Sequence, residues 1–119
     1  MKTIAIVVPS YNQQEFLLES IESVLAQKRK PDEFVVVDDG STDKSLEYAK
    51  SYETQGVKVI SQVNKGLSSA RNTGIMNTTS DYILFLDADD LLLENAIERI
   101  MEIAEKTDAD VIAHSFRCF

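Results

Sequence analysis

Apolar runs too short for helices and unbroken by polar residues recur along this chain, and helical periodicity fills the gaps between them. The runs are Ile4-Ala5-Ile6-Val7-Val8, Phe34-Val35-Val36-Val37 and Tyr82-Ile83-Leu84-Phe85-Leu86; a fourth, weaker candidate, Val57-Lys58-Val59-Ile60, is interrupted by one lysine. β-Branched and aromatic residues without polar alternation indicate strands covered on both faces, the pattern of a parallel sheet. Parallel neighbours need crossover connections, usually helical.

The intervening segments supply those crossovers. Leu18, Ile21 and Leu25 recur at helical spacing with Leu17 and Val24 beside them, so a helix is expected to about Gln27. Asn12 followed by Glu15 reads as its capping-box start, and Pro9 as the end of the first strand. Ser41-Thr42-Asp43 is expected to open a second helix carrying Leu46, Ala49 and Tyr52, with Gly56 after it. Leu67 to about Met76 reads as a short helix whose Ala70 and Gly74 permit close packing. A long helix from about Leu92 to Lys106 would carry Leu93, Ile97, Ile100 and Ala104 as one apolar stripe, with Glu94, Glu98 and Glu102 in water. Asp110 to Phe116 reads as a further strand. The alternation implies a three-layer α/β/α sandwich with a mostly parallel sheet and right-handed crossovers.

At 119 residues this is one domain, residues 1–119, and the terminal strand suggests a piece of something longer. The net charge of −8 argues against a nucleic-acid partner held by bulk charge. Cys118 alone cannot form an internal disulfide. The opening residues lead straight into a strand, and no apolar stretch approaches the roughly 18 residues of a membrane helix. A cytoplasmic location is expected, peripheral to the membrane in a full-length protein. The unpaired edge of the terminal strand invites a homodimer.

Two strands end in acidic clusters, Asp38-Asp39-Gly40-Ser41 and Asp87-Ala88-Asp89-Asp90. Ligands of open parallel sheets bind beyond the carboxyl ends of the strands, so five carboxylates stand where a ligand would sit. Close like charges raise each other's pKa, and a cation relieves them. An all-carboxylate site prefers a hard ion such as Mg²⁺ or Mn²⁺. If the chain stays extended at Asp87 and Asp89, both side chains project to one side, as two metal ligands would. Each cluster also has a simpler reading, as a helix cap or a turn. Asp39 could accept the N–H of a base such as uracil. Arg71, on a helix otherwise built of small residues, suits a phosphate clamp or a solvated surface charge. Tyr11, just past the first strand, could stack on a base or fill the core. His114 receives no role. Neither a G-x-x-x-x-G-K-[ST] nor a G-x-G-x-x-G loop is present, so a diphosphate would have to be neutralised by metal and basic side chains.

Taken together, these segments resemble family 2 of the GT-A fold glycosyltransferases. The likeness rests on Val8-Pro9-Ser10-Tyr11-Asn12, on Leu18, Ile21, Val24 and Gln27, and on Val36 to Asp43. It continues through Asn64-Lys65-Gly66-Leu67-Ser68-Ser69-Ala70-Arg71-Asn72-Thr73-Gly74 and Asp81 to Asp90, nearly the whole chain in order. The resemblance implies a nucleotide-sugar donor, usually UDP-linked, inversion at the anomeric carbon, and a carbohydrate or lipid-linked acceptor. It implies that Pro9 and Tyr11 line the base pocket, that Asp39 meets uracil with Asp38 beside it, and that Arg71 lies near the diphosphate. Asp87-Ala88-Asp89 would be the DXD motif, with Asp89 the direct metal ligand and Asp87 nearer the ribose and sugar. Such enzymes draw their catalytic base from an acceptor-binding half, so the base is expected outside this chain, and the chain alone is expected to bind donor without transferring sugar.

Three other readings are weighed. A sugar-phosphate nucleotidyltransferase would want a glycine- and lysine/arginine-rich loop after the first strand, where Pro9-Ser10-Tyr11-Asn12 stands. A phosphorylated receiver module would carry its acidic pair after the first strand instead of the second. A catalytically empty binding or assembly domain differs only in what it does with ligand.

Overall fold

The computed structural model describes residues 1–112. Four strands and four helices alternate: β1 (Ile4–Ser10), α1 (Leu17–Leu25), β2 (Glu33–Asp39), α2 (Ser45–Lys50), β3 (Lys58–Gln62), α3 (Leu67–Met76), β4 (Tyr82–Phe85) and α4 (Ala96–Thr107). A 3₁₀ turn, Glu53–Gln55, precedes β3. The sheet order is β3-β2-β1-β4, and all three pairings are parallel. β1 is therefore flanked by the two strands that end in acidic residues, the order that lets both acidic clusters reach one ligand.

Alternation of side chains divides the core between the two faces of the sheet. Ile4, Ile6, Val8, Phe34 and Val36 pack with Leu17, Ile21, Val24, Ala49, Ile97, Ile100, Met101 and Ala104 under α1, α2 and α4. Val7, Val35 and Val37 pack with Ala70 under α3. The three layers are thus unequal, with three helices below the sheet and one above. α3 lies close because its inner face is small: a Cβ built on Gly74 would stand 2.3 Å from Val7 Cγ1. No helix of the described residues is long and apolar enough to cross a membrane.

Several local expectations are corrected. β1 does not stop at Pro9 but runs to Ser10, with Pro9 opposite Val37. The Val7 carbonyl accepts the Leu86 N–H, so the polar edge of Val7 and, two residues on, that of Pro9 face β4. β4 pairs no further than Phe85, opposite Val7, so Pro9 has no ladder bond to lose. Asn12 and Glu15 form no capping box. Asn12 takes a left-handed φ of 51°, tolerated by asparagine, and its Oδ1 accepts the Thr42 N–H at 2.8 Å. α1 begins at Leu17, after a turn in which Phe16 and Leu17 donate to the Gln13 carbonyl.

α2 opens at Ser45 rather than at Ser41-Thr42-Asp43, with Asp43 Oδ1 accepting the Ser45 N–H at 2.9 Å. α4 opens at Ala96, not Leu92, and Leu93 is exposed rather than part of its apolar stripe. The tail of α1 holds the backbone here: Leu92 N–H reaches Ser23 Oγ at 3.1 Å, and Lys28 N–H reaches the Glu94 carbonyl at 2.9 Å. Gln27, buried to 3% exposure, donates to the Leu93 carbonyl at 2.6 Å and accepts the Ile97 N–H at 3.1 Å. A backbone committed to another helix cannot coil on itself. Asp110 to Ile112 form no strand. The rest of the expected terminal strand, and with it the homodimer edge, lies outside the described residues.

Candidate functional site

Parity along the strands decides which residues meet at the carboxyl end of the sheet. Both Asp38 and Asp39 belong to β2 instead of the loop beyond it, and so they point to opposite faces. Asp38 shares the face of Val36, below the sheet. It is buried to 1% exposure; its Oδ2 accepts the Ser41 N–H at 3.1 Å, closing the turn, and its Oδ1 has no partner. Asp39 shares the face of Val37, on the side of α3.

The Asp39 carboxylate is closely held. Gln62 Nε2, the Lys65 N–H and the Gly66 N–H each donate to it at 2.9 Å, and Asn64 Nδ2 does so at 3.3 Å. Asn64 Nδ2 also donates to the Asp39 carbonyl at 2.9 Å. Burial alone would raise the Asp39 pKa, but the bonds from Gln62, Lys65 and Gly66 outweigh it and hold the group below the ordinary carboxylate range. Gly40 sits against this loop, where any Cβ would meet the Asn64 N–H nitrogen at 2.7 Å, and its φ is +73°.

Across β1, the second cluster forms differently from the extended arrangement expected for Asp87 and Asp89. The Asp90 N–H donates to the Asp87 carbonyl at 2.9 Å, so the chain turns and Asp90 joins the other two. One carboxylate oxygen from each of Asp87, Asp89 and Asp90 lies within 4.8 Å of the others. Asp90 is a ligand candidate that the two-residue motif overlooked, although its place beside Asp89 was visible. All three are exposed. Burial, then the charges of Asp89 and Asp87, raise the Asp90 pKa. Ala88 between them is buried, 2% exposed, and pins the turn to the lower core.

Arg71 of α3 stands over this cluster. Its Nη2 is 3.6 Å from Asp87 Oδ1, its guanidinium carbon is 5.8 Å from the centre of the Phe85 ring, and its Nε is buried without a partner. Pro9 is buried between the two clusters, while Tyr11 is half exposed beyond the end of β1. Of the expected site residues, Pro9, Asp39, Arg71 and Asp87 therefore share one face and one end of the sheet, with Asp89 in the adjoining turn. Asp38 is directed away, and Ala88 packs into the lower core. β2 and β4 are two strand spacings apart, about 10 Å, a span that a nucleoside diphosphate bridges. Of the residues that organise the Asp39 side, Asn64 and Thr73 lie in the run that carries the family likeness but received no role of their own, and Gln62 carried no recognisable signal in the sequence.

The chain is similar to known proteins in sequence and in fold. Residues 5–119 match the model of glycosyl transferase family 2. The uncharacterized glycosyltransferase EpsJ of Bacillus subtilis is 40% identical over 115 residues, 95% of this chain and 33% of EpsJ. The crystal structure of S. aureus TarS 1-349 in complex with UDP-GlcNAc superposes with a TM-score of 0.83 at 27% identity, covering 89% of this chain and 32% of that one. Glucosyl-3-phosphoglycerate synthase from Mycobacterium tuberculosis, solved with Mn²⁺, UDP and phosphoglyceric acid, gives a TM-score of 0.65 at 27% identity, covering 76% of this chain and 34% of that one. The chain thus spans about a third of the length of these relatives. The parallel α/β sandwich is that of the GT-A nucleotide-sugar transferases, and the chain belongs to glycosyltransferase family 2.

Proposed function

We propose that this chain is the donor-binding part of an inverting glycosyltransferase that moves a hexosyl unit from a nucleotide diphosphate, UDP-linked, to the hydroxyl of a carbohydrate or lipid-linked acceptor, in polysaccharide biosynthesis. One observation carries the reading. Three carboxylates converge within 4.8 Å beside a guanidinium, on the face and sheet end that also present Asp39. The donor set is oxygen only and triply acidic, which fits Mn²⁺ or Mg²⁺. Asp87, Asp89 and Asp90 would hold that ion, with Asp89 the direct ligand. When bound, it neutralises the charge that develops on the departing diphosphate.

This chain's own residues do the rest of the donor's placement. Arg71, held over Phe85, directs its guanidinium to the phosphates, where paired N–H donors match phosphate oxygens. Pro9 and Tyr11 flank the base, and Asp39, ionised by its buried hydrogen bonds, accepts the base N–H on Oδ2 in place of the longest of them, that from Asn64. No residue is assigned as the general base. The TarS and glucosyl-3-phosphoglycerate synthase complexes, with UDP-GlcNAc in one and UDP with Mn²⁺ in the other, support the choice of donor and ion.

Calorimetric titration of UDP in Mn²⁺ and in chelator tests the proposal. Tighter binding with the metal, largely lost in Asp89→Asn, is expected. Equal affinity in both buffers would refute the metal-assisted site.

A further inference from the structure

Gln62 ends β3 on the α3 side of the sheet, and both ends of its amide are engaged. Nε2 donates to Asp39 Oδ1 at 2.9 Å and to Ser69 Oγ at 3.4 Å. Oε1 accepts the Thr73 hydroxyl at 2.5 Å. Ser69 and Thr73 lie two residues either side of Arg71 on α3. A single half-buried side chain therefore joins the carboxylate at the end of β2 to the helix that carries the arginine. Neither neighbour does this for it: the Lys65 and Gly66 N–H groups approach Asp39 from the loop alone.

We infer that Gln62 is a positioning residue for base recognition: its amide, braced by Thr73, fixes the orientation of the Asp39 carboxylate. The inference rests on the function proposed above. The amide is chemically suited to the position because one end must donate to a carboxylate while the other accepts from a hydroxyl. Leucine, of similar size, does neither. A glutamate would set a second negative charge against Asp39. In Gln62→Leu, Asp39 keeps its three loop donors and Thr73 keeps its bond to the Ser69 carbonyl at 3.1 Å, so the site is loosened and no buried group is left bare.

The test measures dissociation constants of UDP, GDP and inorganic pyrophosphate with excess Mn²⁺, for the wild-type chain, Gln62→Leu and Thr73→Val. Losing a hydrogen bond to a charged group corresponds to about tenfold or more. Gln62→Leu is expected to reduce the preference for UDP over GDP about tenfold while changing pyrophosphate affinity less than about twofold. Thr73→Val, which releases the other end of the amide, is expected to act in the same direction and serves alone if Gln62→Leu does not fold. An unchanged UDP preference in the variants overturns the inference, as does an equal loss for all three ligands, the mark of general loosening. Failure of the wild-type chain to bind UDP overturns the proposed function, and the inference with it.

Discussion

Gly74→Ala sets two opposing effects against each other. Alanine inside a helix is better than glycine by about 1 kcal/mol, and at an open site the substitution would stabilise. Here the new Cβ would lie 2.3 Å from Val7 Cγ1, 3.1 Å from Cγ2 and 3.2 Å from Cβ, whereas carbon atoms rest about 3.5–4.0 Å apart. Val7 is fully buried on β1, which is bonded on both sides to β2 and β4, so it cannot retreat. α3 must lift instead, by about 1 Å, and overpacking of this kind costs about 1–3 kcal/mol. The net expectation is destabilisation by about 0–2 kcal/mol.

A cycle with Val7→Ala isolates the clash. Val7→Ala alone should cost about 2 kcal/mol, from two lost methyl groups and the space they leave. In the double variant the Cβ of residue 74 enters that space, so the pair should be more stable than the sum of the singles by about 1–3 kcal/mol. Urea unfolding followed by circular dichroism on the four proteins reads the coupling directly. Stabilisation by Gly74→Ala together with additivity in the cycle would refute the close-packing argument.

Gln27→Leu should destabilise by about 1–3 kcal/mol, because the Leu93 carbonyl and the Ile97 N–H lose their shared partner; the urea midpoint measures it. Stability should fall with acid. Asp39, Asp43, Asp32 and Glu33 all have folded pKa values held below the ordinary range, against a burial effect that for the three aspartates is the largest single contribution. Depressed carboxylates stabilise above the unfolded pKa and lose that contribution as pH falls through the folded one, so the melting temperature should hold near pH 6 and drop below about pH 4. A flat profile down to pH 3 would contradict it. Arg71→Ala should weaken UDP with Mn²⁺ by about tenfold, measured by calorimetry, and leave the urea midpoint nearly unchanged, since its contacts are a 3.6 Å ion pair and an aromatic face.

Much of this molecule was already present in local pattern. Unbroken Val, Ile and Phe runs of four or five residues, too short for helices and rich in β-branched side chains, read as strands buried on both faces, and parallel pairing of such strands calls for helical crossovers, so the sheet and the placing of both acidic clusters at its carboxyl end were legible in the sequence. The small residues Ala70 and Gly74 likewise announced a helix pressed close to the sheet. What the sequence could not decide was where each element stops and which way its last side chains point. Asp38 and Asp39 are adjacent in the chain, yet one caps a buried turn and the other faces the site, because β2 continues two residues beyond its apolar run and side chains alternate along a strand. Asp90 entered the acidic triad through a turn, which no spacing rule specifies. Asn12 caps a loop thirty residues away rather than its own helix, and Gln27 delays α4 from seventy residues away. Periodicity is set by neighbours in the chain, whereas a buried polar group must find its partner wherever the folded chain supplies one, and that partner is known only once the strands are in register.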